Sequence, residues 1–225
     1  MPAGSTKPKG NSAAFPGNIS LIWAALLLYA LDRKAERGQA VSGMDWLVEE
    51  AISRGAFNAG VAPVAKIPFE RQLRKACEAN YCGHYGKNWT CPPLLGDIDE
   101  LIAQARQYET ALVYQTVGKL EDSFDYEGMV AALKKHVAVS DAIKQYVIEH
   151  VPGPVLHLSA GGCPVCERCA GVDGEPCRYP KKALASLEAY GIQVAKLAGL
   201  CGLNYINGQN TVTYVGAFLV GKQAG

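Results

Sequence analysis

The chain has 225 residues, 49% of them hydrophobic, which is enough for one sizeable domain with its own core or for two small ones. A net charge of +1 gives no electrostatic footing for nucleic acid or an anionic membrane surface, so no nucleic-acid partner is expected. Of the eight cysteines, Cys77, Cys82, Cys91, Cys163, Cys166, Cys169, Cys177 and Cys201, none is needed as a disulfide staple in a chain able to build a core, and a reducing, cytoplasmic setting is expected.

Residues 1–43 read as an N-terminal extension ahead of a domain at 44–222. MPAGSTKPKGNSAAFPGN is rich in small residues, Gly and Pro and reads as disordered. The apolar run ISLIWAALLLYAL, 19 to 31, ends at once in Asp32-Arg33-Lys34. Its thirteen residues fall short of the ~20 a transmembrane helix needs, so no span is expected. The length suits a signal-peptide core, yet no small-x-small cleavage site comes before the charges. A short helix packed on the domain or on a partner is the leading reading, and membrane association through 19–31 the minor one.

SGMDWLVEEAISRG, 42 to 55, predicts a helix with a capping box at Ser42 and Asp45 and Gly55 at its end. AGVAPVAKIPF, 59 to 69, predicts a strand in which Pro63 marks an edge or a bulge. A helix follows at 97–108, with Asp97 as N-cap and Glu100 three residues on. ETALVYQTV, 109 to 117, reads as a strong strand, and Met129, Leu133, Val137, Ile143 and Val147 carry a helical period through 125–149. PVLHLSA, 154 to 160, reads as a short strand. Helices are expected at 180–190, between Pro180 and Gly191, and at 192–200, and a strand at 211–220. Strands alternating with helices predict an α/β domain with a four-stranded sheet, flanking helices and two cysteine-rich metal-binding loops.

The second loop, GGCPVCERCAGVDGEPCRYP, puts Cys163, Cys166, Cys169 and Cys177 into fifteen residues. Three cysteines on consecutive two-residue gaps let one turn of chain present thiolates to three irons of a cubane, and Cys177 supplies the fourth corner after AGVDGEP. The bacterial ferredoxin run sets its fourth cysteine closer and directly before a proline, so the match is in type. Zinc is the alternative, although zinc ribbons separate two Cys-x2-Cys pairs by a dozen or more residues. Thiol redox chemistry is the third reading. Arg168, Arg178, Lys181 and Lys182 surround this group. With the N-terminus of the helix expected from Pro180 they would offset a cluster's negative charge; a solvated basic surface and a dock for an acidic redox partner protein or an anionic substrate are the other readings.

The first loop holds Cys77-x4-Cys82-x8-Cys91-Pro92-Pro93. Three cysteines without an evident fourth suggest a second centre with one iron left open, a Lewis-acid or substrate-binding position. Cys201 is a distant candidate for the fourth ligand, against its plain reading as a small buried thiol. His84 is another, against a solvent-facing side chain. Tyr81, Tyr85 and Trp89 interleave with this loop and would pack around it or shield it from water. His136, His150 and His157 lack metal-ligand spacing and read as structural. Loops at the ends of neighbouring strands could gather both groups at one place or leave two. No Cys-x3-Cys-x2-Cys triple, phosphate-binding G-x-x-x-x-G-K-[ST] loop, G-x-G-x-x-G fingerprint or Ser/His/Asp arrangement is present.

Cys77…Cys82…YGKNWTCPP, GGCPVCERCAGVDGEPCRYP and SLEAYGIQV together resemble a bacterial and archaeal family of predicted metal-binding proteins of unknown function (DUF2284-like), from about Met44 to about Val220. The resemblance implies metal binding by seven cysteines and supplies no reaction; Cys201 stands outside its pattern. It also suggests that Met44 is the native start or that residues 1–43 are peculiar to this protein, which intact mass tests. The expected function is therefore that of a [4Fe–4S] protein with one or two clusters and an electron-transfer role. A structural zinc protein, or a redox enzyme with an open site at the three-cysteine group, is the rival.

Overall fold

The computed structural model describes residues 43–222. The expectations for residues 1–42, including the apolar run at 19–31 and Ser42, lie outside these residues. Four strands form one antiparallel sheet: β1 (Asn58–Pro63), β2 (Tyr108–Lys119), β3 (Leu156–Leu158) and β4 (Thr211–Lys222), in the order β1-β2-β4-β3. Five helices flank it: α1 (Asp45–Ser53), α2 (Leu73–Glu78), α3 (Ile98–Ala105), α4 (Tyr126–His150) and α5 (Val194–Leu200).

The central strands β2 and β4 are covered on both faces, which explains their nearly continuous apolar sequences. Side chains alternate across a strand. Leu112 and Tyr114 of β2 and Phe218 and Val220 of β4 therefore meet Leu47 and Ala51 of α1 and Val139, Ile143 and Val147 of α4. Ala111 and Val113, with Val215, Ala217 and Leu219, face Leu101 and Ala105 of α3, Leu197 of α5, and Leu187 and Ile192. The result is helix, sheet, helix.

The first of these layers also buries polar side chains. Tyr114 Oη, Ser140 Oγ and His157 Nε2 form a closed triangle of hydrogen bonds at 2.6, 3.1 and 3.0 Å. His136 Nδ1 bonds Thr116 Oγ1 at 3.0 Å and its Nε2 meets Ser159 Oγ at 3.3 Å. His150 is exposed and bonds the Tyr146 carbonyl. These three histidines are structural, as their spacing suggests.

Asp97 caps α3, its carboxylate accepting from the Asp99 and Glu100 N–H groups. Pro63 ends β1, an edge strand as expected, so the strand stops six residues before Phe69. At α1 the N-cap is Met44, which makes no side-chain capping bond, and Asp45 lies in the first turn instead of forming a capping box.

The helix expected at 180–190 does not form. The segment is a series of turns ending in a 3-10 turn at Glu188–Tyr190, closed by Gly191 at φ +73°. Its backbone is taken elsewhere: Ser159 N–H donates to the Ala185 carbonyl at 2.9 Å and Leu187 N–H to the Ser159 carbonyl at 3.1 Å, extending β3 by a parallel bridge. A residue whose N–H is committed to a distant carbonyl cannot also close an i to i−4 bond.

Candidate metal centre

The two cysteine loops are far apart in the sequence, and the chain just ahead of the first is pinned to the chain that follows the second. Phe69 bridges Ile192 in antiparallel fashion, and Glu70 N–H donates to the Gly191 carbonyl at 2.6 Å. The chain then turns into α2, which packs on the 3-10 turn at Glu188–Tyr190 and carries Cys77. Cys77 thus sits on a short helix; Cys82 and Cys91 lie in the turns that follow. The second loop starts where β3 ends.

Cys163, Cys166, Cys169 and Cys177 line one narrow cavity, together with Asn88, Trp89 and Thr90 of the first loop and Val165, Tyr179 and Ala183. Backbone amides lie beside the sulfurs. Trp89 N–H donates to Cys169 Sγ at 3.5 Å, and the N–H groups of Val165 and Leu184 lie close enough to Cys163 to act on its thiol. Burial raises the Cys163 thiol above its ordinary range, and those two N–H groups oppose the shift. Thr90 Oγ1 is buried beside Cys91, and its hydroxyl opposes the rise of the Cys91 thiol. Four thiols around one cavity and an amide donor aimed at sulfur fit a thiophilic metal centre. Among the described residues no three His, Cys, Asp or Glu side chains converge to the spacing of a single ion. The thiols line a common wall rather than meeting at a point.

Cys77, Cys82 and Cys91 lie near enough to influence one another, and Cys91 is also within reach of Cys163. The two groups therefore adjoin. Burial pushes the Cys91 thiol up to about 11 and raises Cys77, against which the Arg74 guanidinium acts as the main opposing charge. All eight cysteines are free thiols.

Cys201 stands apart, at the end of α5. The Cβ that a side chain at Gly60 of β1 would carry lies 3.0 Å from Cys201 Cβ and 2.7 Å from its carbonyl oxygen. Burial pushes its thiol up to about 12, as befits a small apolar core residue. His84 Nδ1 and Asn88 Nδ2 lie 3.1 Å apart in a hydrogen bond. The ring rests on Gly162, whose added Cβ would approach it to 2.9 Å.

Trp89 packs as expected, its indole N–H donating to the Glu175 carbonyl at 2.8 Å. Tyr81 shields nothing, being 93% exposed. The basic residues divide. Arg168 is paired with Asp173 through Nη2 and Oδ1 at 2.5 Å, and Arg178 Nη1 donates to the Arg168 carbonyl at 3.0 Å. Lys182 stands over the Tyr179 ring and the Lys181 carbonyl accepts from Lys144. No helix starts at Pro180, so the helix N-terminus expected there is absent. Sequence reasoning singled out neither Thr90 nor Arg74; a small polar residue directly before Cys91 and a cation one turn before Cys77 were the available signals.

The fold and these thiols define a cysteine-rich protein of metal-binding type. The family described as Predicted metal-binding protein (DUF2284) matches residues 61–220, more than half of the chain, and the chain belongs to it. The match runs from β1 to β4 and starts later than Met44. No curated protein and no solved structure matched the chain. No helix among the described residues is long and apolar enough to cross a membrane.

Proposed function

We propose that the protein is an iron–sulfur protein with an electron-transfer role, in which Cys163, Cys166, Cys169 and Cys177 hold a [4Fe–4S] cluster. Cys77, Cys82 and Cys91 hold a second metal centre beside it. The observation that carries this reading is the single cavity lined by all four cysteines of the Cys-x2-Cys-x2-Cys…Cys run.

The surroundings support the same reading. Hydrogen bonds to the sulfurs and burial are the levers by which a protein sets a cluster's potential; burial acts on Cys163 and the Trp89 N–H donates to Cys169. Cys166 also forms part of a second, open depression lined by Val165, Glu167, Arg168, Arg178 and Tyr179. That depression is the place where an acidic redox partner protein would approach, with Cys166 as the ligand nearest to it.

The test is EPR spectroscopy of anaerobically purified protein after reduction with dithionite. Wild-type protein is expected to give a signal that C163S and C177S lose, and a signal that survives intact in both would overturn the ligand assignment.

A further inference from the structure

Arg74 precedes Cys77 by three residues on α2, the spacing that places two side chains on one helix face. Its Nε and Nη2 atoms are buried and have no hydrogen-bond partner. The described residues contain four ion pairs, Arg54–Glu50, Arg71–Asp99, Arg168–Asp173 and Lys196–Glu70, and Arg74 belongs to none of them. Its neighbour Arg71 is satisfied by a carboxylate and Arg74 is not. Glu78 and Glu188 are close enough to act on Cys77, yet neither pairs with the guanidinium.

Buried N–H groups of a charged side chain that lack an acceptor are costly. The thiol on which its charge acts is that of Cys77, a weak acceptor while it keeps its proton and a neighbour of Cys82 and Cys91. A thiol that binds a metal gives its proton up and becomes an anion. The missing acceptor and the thiols' missing charge are therefore complementary.

We propose that Arg74 is the built-in counter-cation of the three-cysteine centre, its Nε and Nη2 hydrogens held for the anionic sulfur that Cys77, Cys82 and Cys91 present once they bind metal. This rests on reading those cysteines as ligands. Arg74 acts through the sulfurs and is a positioning residue. A cation that donates to a sulfur withdraws charge from the centre and raises its reduction potential. Arg74 does not line the cavity of Cys163, Cys166, Cys169 and Cys177, so its loss acts on the first group more strongly than on the second.

The experiment is a potentiometric EPR titration, with iron and sulfide counted per chain, on anaerobically purified wild type, R74Q, R74K and C91S. C91S identifies the signal and iron that belong to the first group. In R74Q that signal is expected to shift to lower potential or its iron to be lost, while the remaining signal shifts less. R74K keeps the charge without the guanidinium's donors and is expected to fall between wild type and R74Q. Unchanged midpoints and iron content in both Arg74 variants would overturn the assignment of Arg74. Unchanged iron and spectrum in C91S would instead overturn the first centre itself, and the proposal with it.

Discussion

Trp89 donates its backbone N–H to the Sγ of Cys169 at 3.5 Å although 80 positions separate the two residues. Its indole N–H holds the Glu175 carbonyl at 2.8 Å, so one residue of the first loop grips the second at two points. Gly171 lies beneath the ring, an added Cβ being 3.1 Å from Trp89 Nε1. The wall of the cysteine cavity is thereby shared between segments from opposite sides of β2.

Replacing Trp89 by Phe keeps the ring and removes the indole bond, at an expected cost of about 1 kcal/mol. W89A also removes the packing and is expected to cost about 2–3 kcal/mol, with weaker retention of metal. Urea midpoints with metal analysis check both. An unchanged midpoint and metal content in W89A would show that the two loops do not depend on this contact.

Cys201 and Cys163 are expected to respond in opposite ways. Cys201 is a buried thiol packed under Gly60, so C201A opens a small void and costs about 1 kcal/mol while leaving the metal content intact. C163S is expected to lose metal. Metal counts per chain separate the two, and loss of metal in C201A would return Cys201 to the ligand set. G60A, whose new methyl would meet the Cys201 carbonyl at 2.7 Å, is expected to destabilise by about 1–3 kcal/mol.

Acid is expected to destabilise the fold through two buried histidines. Burial lowers His136 from 6.5 to about 4 and His157 from 6.5 to about 3. The unfolded chain therefore binds protons that the folded chain refuses. Stability from this source is complete above the unfolded value of 6.5 and falls as the pH drops toward the folded values. The limiting slope is about 1.4 kcal/mol per pH unit for each histidine. Urea unfolding between about pH 7 and about pH 5 measures it, and H157Q is expected to flatten the slope by one histidine's share. Identical slopes in wild type and H157Q would refute this origin.

Much of the fold is legible in the sequence, for reasons that can be named. The run ETALVYQTV forms a strand because both faces of β2 are buried, and the period from Met129 to Val147 forms α4 because only one side of it meets the sheet. Asp97 caps α3 because its carboxylate reaches the next turn's amides. Where sequence reasoning fails, a distant partner decides. Residues 180–190 look helical, but Ala185 and Leu187 bond Ser159. The same applies to the candidate centre. Spacing groups Cys163 with Cys166, Cys169 and Cys177, but it cannot bring Cys91 beside Cys163. Nor can it reveal that Arg74 lacks an acceptor, since that depends on every side chain around it.

The central claim is that these cysteines hold an iron–sulfur cluster. Iron, zinc and acid-labile sulfide counted per chain on anaerobically purified protein test it most directly. The account predicts iron and sulfide in equal number, about four of each for one cubane and about eight for two. Zinc without sulfide would contradict it.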